Sequence, residues 1–240
     1  MHYTRLFVSS KDKSSGTHSD FKIDYPNEDL MITSFRLKKV VVPKLWNNVN
    51  SYTSSFSIIY NAVTYNTSIT EGIYTSVVTL MDAVKDACNT VTGTTDFSAS
   101  YNSTTGKITY STILQTHGFQ FANNELADLL GFEQSNQTLA LLQVSTKRAT
   151  LEFAPVIYLQ IAELAMPALS SSEYVSHYVG AITSIQNSYG TSIVQDYAED
   201  EQKTSNYQTK HINMLSVRLV DDKGRPIPLN HPWYFELEIF

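Results

Sequence analysis

Hydrophobic and polar residues alternate with a period of two in several stretches of the chain. That spacing puts successive side chains on opposite faces of a strand. Phe21, Ile23 and Tyr25 alternate with Lys22 and Asp24 until Pro26 stops the run. Phe35, Leu37 and Val41 carry the pattern through a longer strand that ends at Pro43. Phe56, Ile58 and Tyr60, followed across Asn61-Ala62 by Val63 and Tyr65, predict a tight hairpin. Phe97, Ala99 and Tyr101 lead to Asn102, and Ile108 and Tyr110 resume after Gly106, which predicts a hairpin with a longer loop. Ala149, Leu151 and Phe153 alternate, as do Ile157, Leu159 and Ile161 beyond Pro155. Near the end, Leu215, Val217 and Leu219 form a strand and Asp221 to Gly224 turn the chain. Trp233, Phe235, Leu237 and Ile239 form the last strand. Burying those four side chains is worth on the order of 6–12 kcal/mol gross, an upper bound. The C-terminus is therefore core.

Helix signals are few. Ser76 caps a predicted helix over 76–91 whose apolar positions are Val77, Leu80, Met81, Val84, Cys88 and Val91, with Gly93 after its end. A second helix is expected over 123–130, with Leu126, Leu129 and Leu130 on one side and Gly131 as a left-handed cap. With about eight to ten strands and no strand–helix–strand alternation, the expected class is an all-β sandwich. Residues 165–211 give no clear pattern. Residues 1–18 are mostly polar and read as an extended N-terminal arm, leaving 19–240 as one domain. Within the arm, Leu6, Phe7 and Val8 are a short apolar run, a candidate assembly contact. The run either docks on a neighbouring molecule as an added strand or forms an edge strand of its own sandwich.

Composition sharpens the picture. Charged residues are only 17% of 240, while Tyr contributes 15. A surface poor in charge and rich in Tyr suits contact with another protein, because charges resist desolvation. The net charge of −6 argues against a dedicated nucleic-acid binder. The distribution is uneven: eight of the 17 Lys and Arg precede residue 46, and Asp196, Glu199, Asp200 and Glu201 form an acidic stretch. One cysteine, Cys88, excludes an intrachain disulfide framework. The opening residues lead into no apolar signal region, and no apolar run has the length of a membrane span. Sequons begin at Asn66, Asn102 and Asn136, about the number that a chain rich in Ser and Thr yields by chance.

Candidate chemistry is sparse. The six His residues show no metal-ligand spacing. Gly190-Thr191-Ser192 lacks the flanks of a nucleophile elbow. Cys88 falls on the apolar face of its helix, where a thiol is buried and inert. Asp221-Asp222 and Asp200-Glu201 read as solvated carboxylates in turns. No catalytic, cofactor-binding or metal-binding residue is assigned, and no enzyme is expected.

Several segments together resemble a known family. SKDKSSGT (Ser10 to Thr17) with SDFKIDYP (Ser19 to Pro26) resembles the opening of the single jelly-roll penton, or vertex, proteins of virophages and polinton-like viruses, and of minor capsid proteins of large double-stranded DNA viruses. KKVVVPKLWNNV (Lys38 to Val49), EGIY (Glu71 to Tyr74), TTGKITY (Thr104 to Tyr110), LADLLGF (Leu126 to Phe132) and GRPIPLNHPWYFELEIF (Gly224 to Phe240) follow in the family's order. Met166 to His211 matches nothing in it. The resemblance implies a single jelly-roll sandwich and a structural capsid protein forming homopentamers at the five-fold vertices. It implies the major capsid protein as a second partner, and a place in a virion assembled inside the host cell. Another minor capsid position is an alternative. So is a glycan- or receptor-binding sandwich of the fibre type, for which Tyr174, Tyr178, Tyr189 and Tyr197 are candidate groove aromatics.

Overall fold

The computed structural model describes residues 4–25, 30–164, 178–197 and 205–240. In chain order the first strands are β1 (Thr4–Ser9), β2 (Ser15–Gly16), β3 (Asp20–Asp24), β4 (Leu30–Pro43), β5 (Ser55–Tyr60) and β6 (Val63–Ser68). Helix α1 (Val77–Thr92) precedes β7 (Ser98–Asn102), β8 (Lys107–Ser111) and β9 (His117–Gln120), and α2 (Leu126–Leu130) precedes β10 (Leu142–Val144). The remaining strands are β11 (Val156–Ile161), β12 (Gly180–Thr183), β13 (Ser192–Asp196), β14 (Ser205–Ile212), β15 (Met214–Val220) and β16 (Tyr234–Ile239). The protein is all-β, with more and shorter strands than the sequence pattern suggests.

The chain divides into two compact units, Met1–Trp46 with Ala154–Phe240, and Asn47–Phe153. The sequence reading drew one domain over 19–240; the second unit is an insertion between β4 and β11.

The first unit is a jelly-roll sandwich. One sheet runs β1-β16-β4-β13, with β14 also on β4; the other runs β12-β11-β15-β3-β2. Successive strands cross between sheets, as when β3 lies in one and β4 in the other. Inward-facing residues are Phe35, Leu37, Val40, Phe235 and Leu237 from one sheet, and Phe21, Ile23, Ile157, Leu159, Leu215 and Val217 from the other, all buried. The alternation marks Val41 in place of Val40, but an extra β4 residue opposite Glu236 and Leu237 shifts the pattern by one, so Val40 turns inward and Val41 outward. Phe21 meets Trp233 edge-on at 5.8 Å between ring centroids, joining the two layers.

The second unit carries β6-β5-β9 and β10-β8-β7 with both helices. Its core joins Phe56, Ile58, Tyr110, Phe119, Phe121 and Phe132 to Leu80, Val84 and Cys88 of α1. Helix α1 begins where expected: the Ser76 hydroxyl accepts from the Thr79 amide at 3.1 Å, and Gly93 ends the helix at φ 68°. The second helix is shorter than expected. Asn123 adopts φ 57°, and the Asn124 side chain accepts from the Leu126 amide at 2.9 Å, so residues 123–125 form a turn that caps the helix. Gly131 closes α2 at φ 78°, and a Cβ there would collide with the backbone of Lys147 and Ala149.

Residues 149–153 are not a strand. Ala149 donates to the Gly106 carbonyl and Thr150 to the Leu129 carbonyl, so their amides go to two different elements and no ladder forms. The alternation there reflects an extended segment lying half-buried on the core.

Candidate assembly surfaces

The sequence singled out Leu6, Phe7 and Val8. All three lie in β1, which pairs antiparallel with β16 from Thr4 opposite Ile239 to Ser9 opposite Tyr234. The strand is thus an edge of its own sandwich, the intramolecular alternative. Val8 is buried in the core and Leu6 is half-buried, while Phe7 is 65% exposed on the outer face. Ser10 locks the strand's end: its amide donates to the Trp233 carbonyl at 2.9 Å and its hydroxyl accepts from the Trp233 amide at 3.0 Å.

That outer face carries an ion ladder. Glu236 and Glu238 point away from the core, yet both are buried beneath arginines. Arg36 Nε donates to Glu238 Oε2 at 2.9 Å, and Arg5 lies 3.4 Å from Glu236 and 3.9 Å from Glu238. Beside the ladder, Tyr234 opposes Val41 and Val41 opposes Val194, an apolar row open to solvent at Tyr234 and Val194.

The second unit presents a larger apolar surface, which the sequence reading missed. The turn between β8 and β9 exposes Ile113 at 83% and Leu114 at 74%. Leu139, Leu141, Leu142 and Val144 are exposed beside it. The Thr112 amide donates to the Leu141 carbonyl, and Leu142 opposes Ser111 across the β8–β10 ladder, so Leu141 and Leu142 start beside the tip. The tip is held from beneath. Asp96 Oδ1 accepts from the amides of Ile113 (2.8 Å) and Leu114 (3.1 Å), and Oδ2 accepts from the Tyr60 hydroxyl (3.1 Å). Burial alone would raise the pKa of this carboxyl. The amides of Ile113, Leu114 and Gln115 and the Tyr60 hydroxyl outweigh burial and hold it below the usual carboxylate value. No composition signal marks Asp96; an acid just before an apolar strand, far in sequence from the amides it serves, has no local signature.

Other sequence candidates are structural. Cys88 is buried, and burial pushes its thiol far above the ordinary value, so no thiolate forms. Asp221 is not a solvated carboxylate as read from sequence. It is buried, accepts from the amides of Lys223 and Arg225 at 2.9 Å each, and pairs with the Arg225 guanidinium at 2.6 Å. Lys44 is fully buried and gives its ammonium to the carbonyls of Ser184 (3.0 Å) and Asn187 (2.7 Å), over the ring of Tyr189.

Among the described residues, three of the candidate groove tyrosines have partners within the chain. Tyr178 packs edge-on against Tyr158, Tyr189 against Trp46, and the Tyr197 hydroxyl donates to the Ala181 carbonyl. Tyr174 lies outside the described residues, as do Pro26 and the acidic stretch Glu199 to Glu201. Among the described residues no three His, Cys, Asp or Glu come together as metal ligands, and no helix is long and apolar enough to cross a membrane.

No family model and no curated protein matches the sequence. Among solved structures, the chain is similar to the mavirus penton protein, at a TM-score of 0.56 and 13% identity over 99% of both chains. It is also similar to a chain of the Sputnik virophage, at a TM-score of 0.47 and 11% identity over 99% of this chain and 97% of that one. The virophage penton-like fold that the sequence motifs imply is the fold observed.

Proposed function

We propose that this chain is a structural capsid protein, the penton protein that forms homopentamers at the five-fold vertices of a double-stranded DNA virus. The likeness to the mavirus penton protein across 99% of both chains carries the reading, because it spans the inserted second unit as well as the sandwich. The motifs from Ser10 to Pro26 and from Gly224 to Phe240 support it from the sequence side, and they meet in the structure. Phe21 packs on Trp233, and the β1–β16 pair lies in the same unit.

The physics of the surfaces fits. A vertex protein needs a rigid β core and faces that desolvate cheaply, and the outer faces here bear Phe7, Tyr234 and the Ile113–Leu114 tip. Of the three N-terminal candidates, Phe7 is the one left available to a neighbour, and it faces either another copy or the major capsid protein. The chain works in the virion and assembles there inside the host cell.

Co-expression with the shell's major capsid protein tests this reading. Purified particles should contain the chain, and a Phe7→Asp variant should be incorporated several-fold less at an unchanged thermal midpoint. Particles that form complete and stable without the chain bound would overturn it.

A further inference from the structure

We infer that the Ile113–Leu114 tip inserts into the apolar layer of a neutral lipid bilayer, with the uncharged end of the second unit against the headgroups. The inference goes beyond the capsid reading and stands on the second unit alone. Phe7 and Tyr234 belong to the other unit and are left to neighbouring subunits.

The first observation is where charge is missing. Residues 49–70, 108–124 and 134–146 contain no Asp, Glu, Lys or Arg, and residues 87–106 contain one, Asp96. These four stretches meet at one end of the unit. The Asn61 amide, in the turn between β5 and β6, donates to the Thr116 carbonyl. The Thr112 amide donates to the Leu141 carbonyl, and Asp96 lies beneath the tip. The one charged side chain among them is therefore buried. Val63, Leu139 and Leu141 stand exposed on the segments that flank the tip. Lys107 lies at the opposite end of β8, where the Arg148 side chain packs over Gly106. An ion carried into hydrocarbon loses its hydration with nothing to replace it, and this end of the unit avoids that cost.

The second observation selects lipid over protein. Hydrocarbon offers no acceptor, so a segment that enters it must have its amides bonded within the protein. At the tip they are. Ile113 and Leu114 donate to Asp96 Oδ1 at 2.8 and 3.1 Å, and the Gln115 amide donates to the same carboxylate. On either side, Thr112 donates to Leu141 and His117 to the Ala140 carbonyl. A protein partner gains little from such a turn. It finds no row of free amides to extend, and two protruding side chains fall far short of the ~800 Å² that each partner gives to a stable interface. The carboxylate also fixes the turn before contact, so little order is lost when the two side chains are covered.

The headgroup chemistry follows from the balance of charge. The chain carries a net charge of −6 and has no Lys or Arg in the stretches that form this end, so an anionic surface would attract nothing here. A zwitterionic bilayer is the surface that fits.

Sedimentation of the full-length chain with phosphatidylcholine vesicles at high lipid concentration tests this. The chain should pellet with the vesicles equally well at low and high salt, because no ion pair holds it there. Ile113→Ser with Leu114→Ser should weaken binding at least ~10-fold at an unchanged thermal midpoint, since both side chains are exposed. Leu114→Trp gives a local readout that does not depend on the double variant folding. Trp46 and Trp233 are buried, so emission that moves to shorter wavelength on adding vesicles reports entry of the tip into lipid. A chain that stays in the supernatant overturns the inference, as does binding that high salt abolishes. Emission from Leu114→Trp that vesicles leave unmoved, or a folded double variant that binds like the unmodified chain, overturns it as well. Self-association that the double variant abolishes, without vesicle binding, would assign the tip to a second copy instead. The capsid reading survives each of these results and fails only when the chain is absent from particles.

Discussion

Ala62 occupies φ 62° beside Asn61 at φ 50° in the two-residue turn joining β5 to β6. Both central residues of such a turn need positive φ, which Asn accepts and Ala resists, because its Cβ crowds the next carbonyl. Ala62→Gly should therefore stabilise the protein by roughly 0.5–1 kcal/mol, read as a higher urea midpoint at unchanged slope. A lower midpoint would refute the left-handed turn. His117 carries the residue-scale pH dependence. It is buried between Phe97 and Phe119, its Nδ1 lies 3.0 Å from the Thr112 hydroxyl, and its Nε2 has no hydrogen-bond partner. Burial pushes its pKa down to about 4, against a weaker upward pull from Asp96. Between about pH 6.5 and 4 the unfolded chain takes up a proton that the folded chain refuses, so stability falls as pH falls through that window. The loss approaches roughly 2–3 kcal/mol near pH 4, and His117→Gln should flatten that part of a melting-versus-pH curve. An unaltered curve in the variant would exonerate His117. Single residues of this kind are the least legible in a sequence. The turn at Asn61-Ala62 was readable, because the hairpin alternates on both sides of it. Asp96, His117 and Lys44 were not, since their partners lie in other segments.

Elements were legible where local chemistry and tertiary packing agree. Helix α1 has its serine cap, its apolar stripe and its closing glycine, and β15 and the β7–β8 hairpin follow their alternation. Disagreement arises where the pattern has a different cause. Residues 149–153 alternate because one side lies on the core, yet their amides serve Gly106 and Leu129. Strand β16 looks half-polar in sequence, but Arg5 and Arg36 cover its glutamates, so both faces are buried. Strands β12, β13 and β14 lie in the stretch without a readable period; β12 and β13 are only four and five residues long. The N-terminal strand supports an element-scale prediction. Removing residues 1–9 deletes the buried Val8 and uncovers β16, which should lower stability by at least about 2 kcal/mol, seen as a clear drop in thermal midpoint of the isolated chain. An unchanged midpoint with lost particle incorporation would mean that the segment serves a neighbour.

At the scale of the molecule, the split into two units was not legible, because no linker composition marks the junctions at Trp46 and Ala154. The chain leaves β4 for the inserted unit and returns at β11 without a Gly- or Ser-rich hinge. The low overall charge was legible, and it is concentrated in the second unit, where residues 49–70, 108–124 and 134–146 carry no Asp, Glu, Lys or Arg. The central claim, a penton protein at the five-fold vertices, is met most directly by an icosahedral cryo-electron microscopy map of particles containing this chain. The account predicts five copies around each five-fold axis, each fitted by the sandwich and the inserted unit. Density for the chain on a two-fold or three-fold axis, with another protein at the vertices, would contradict it.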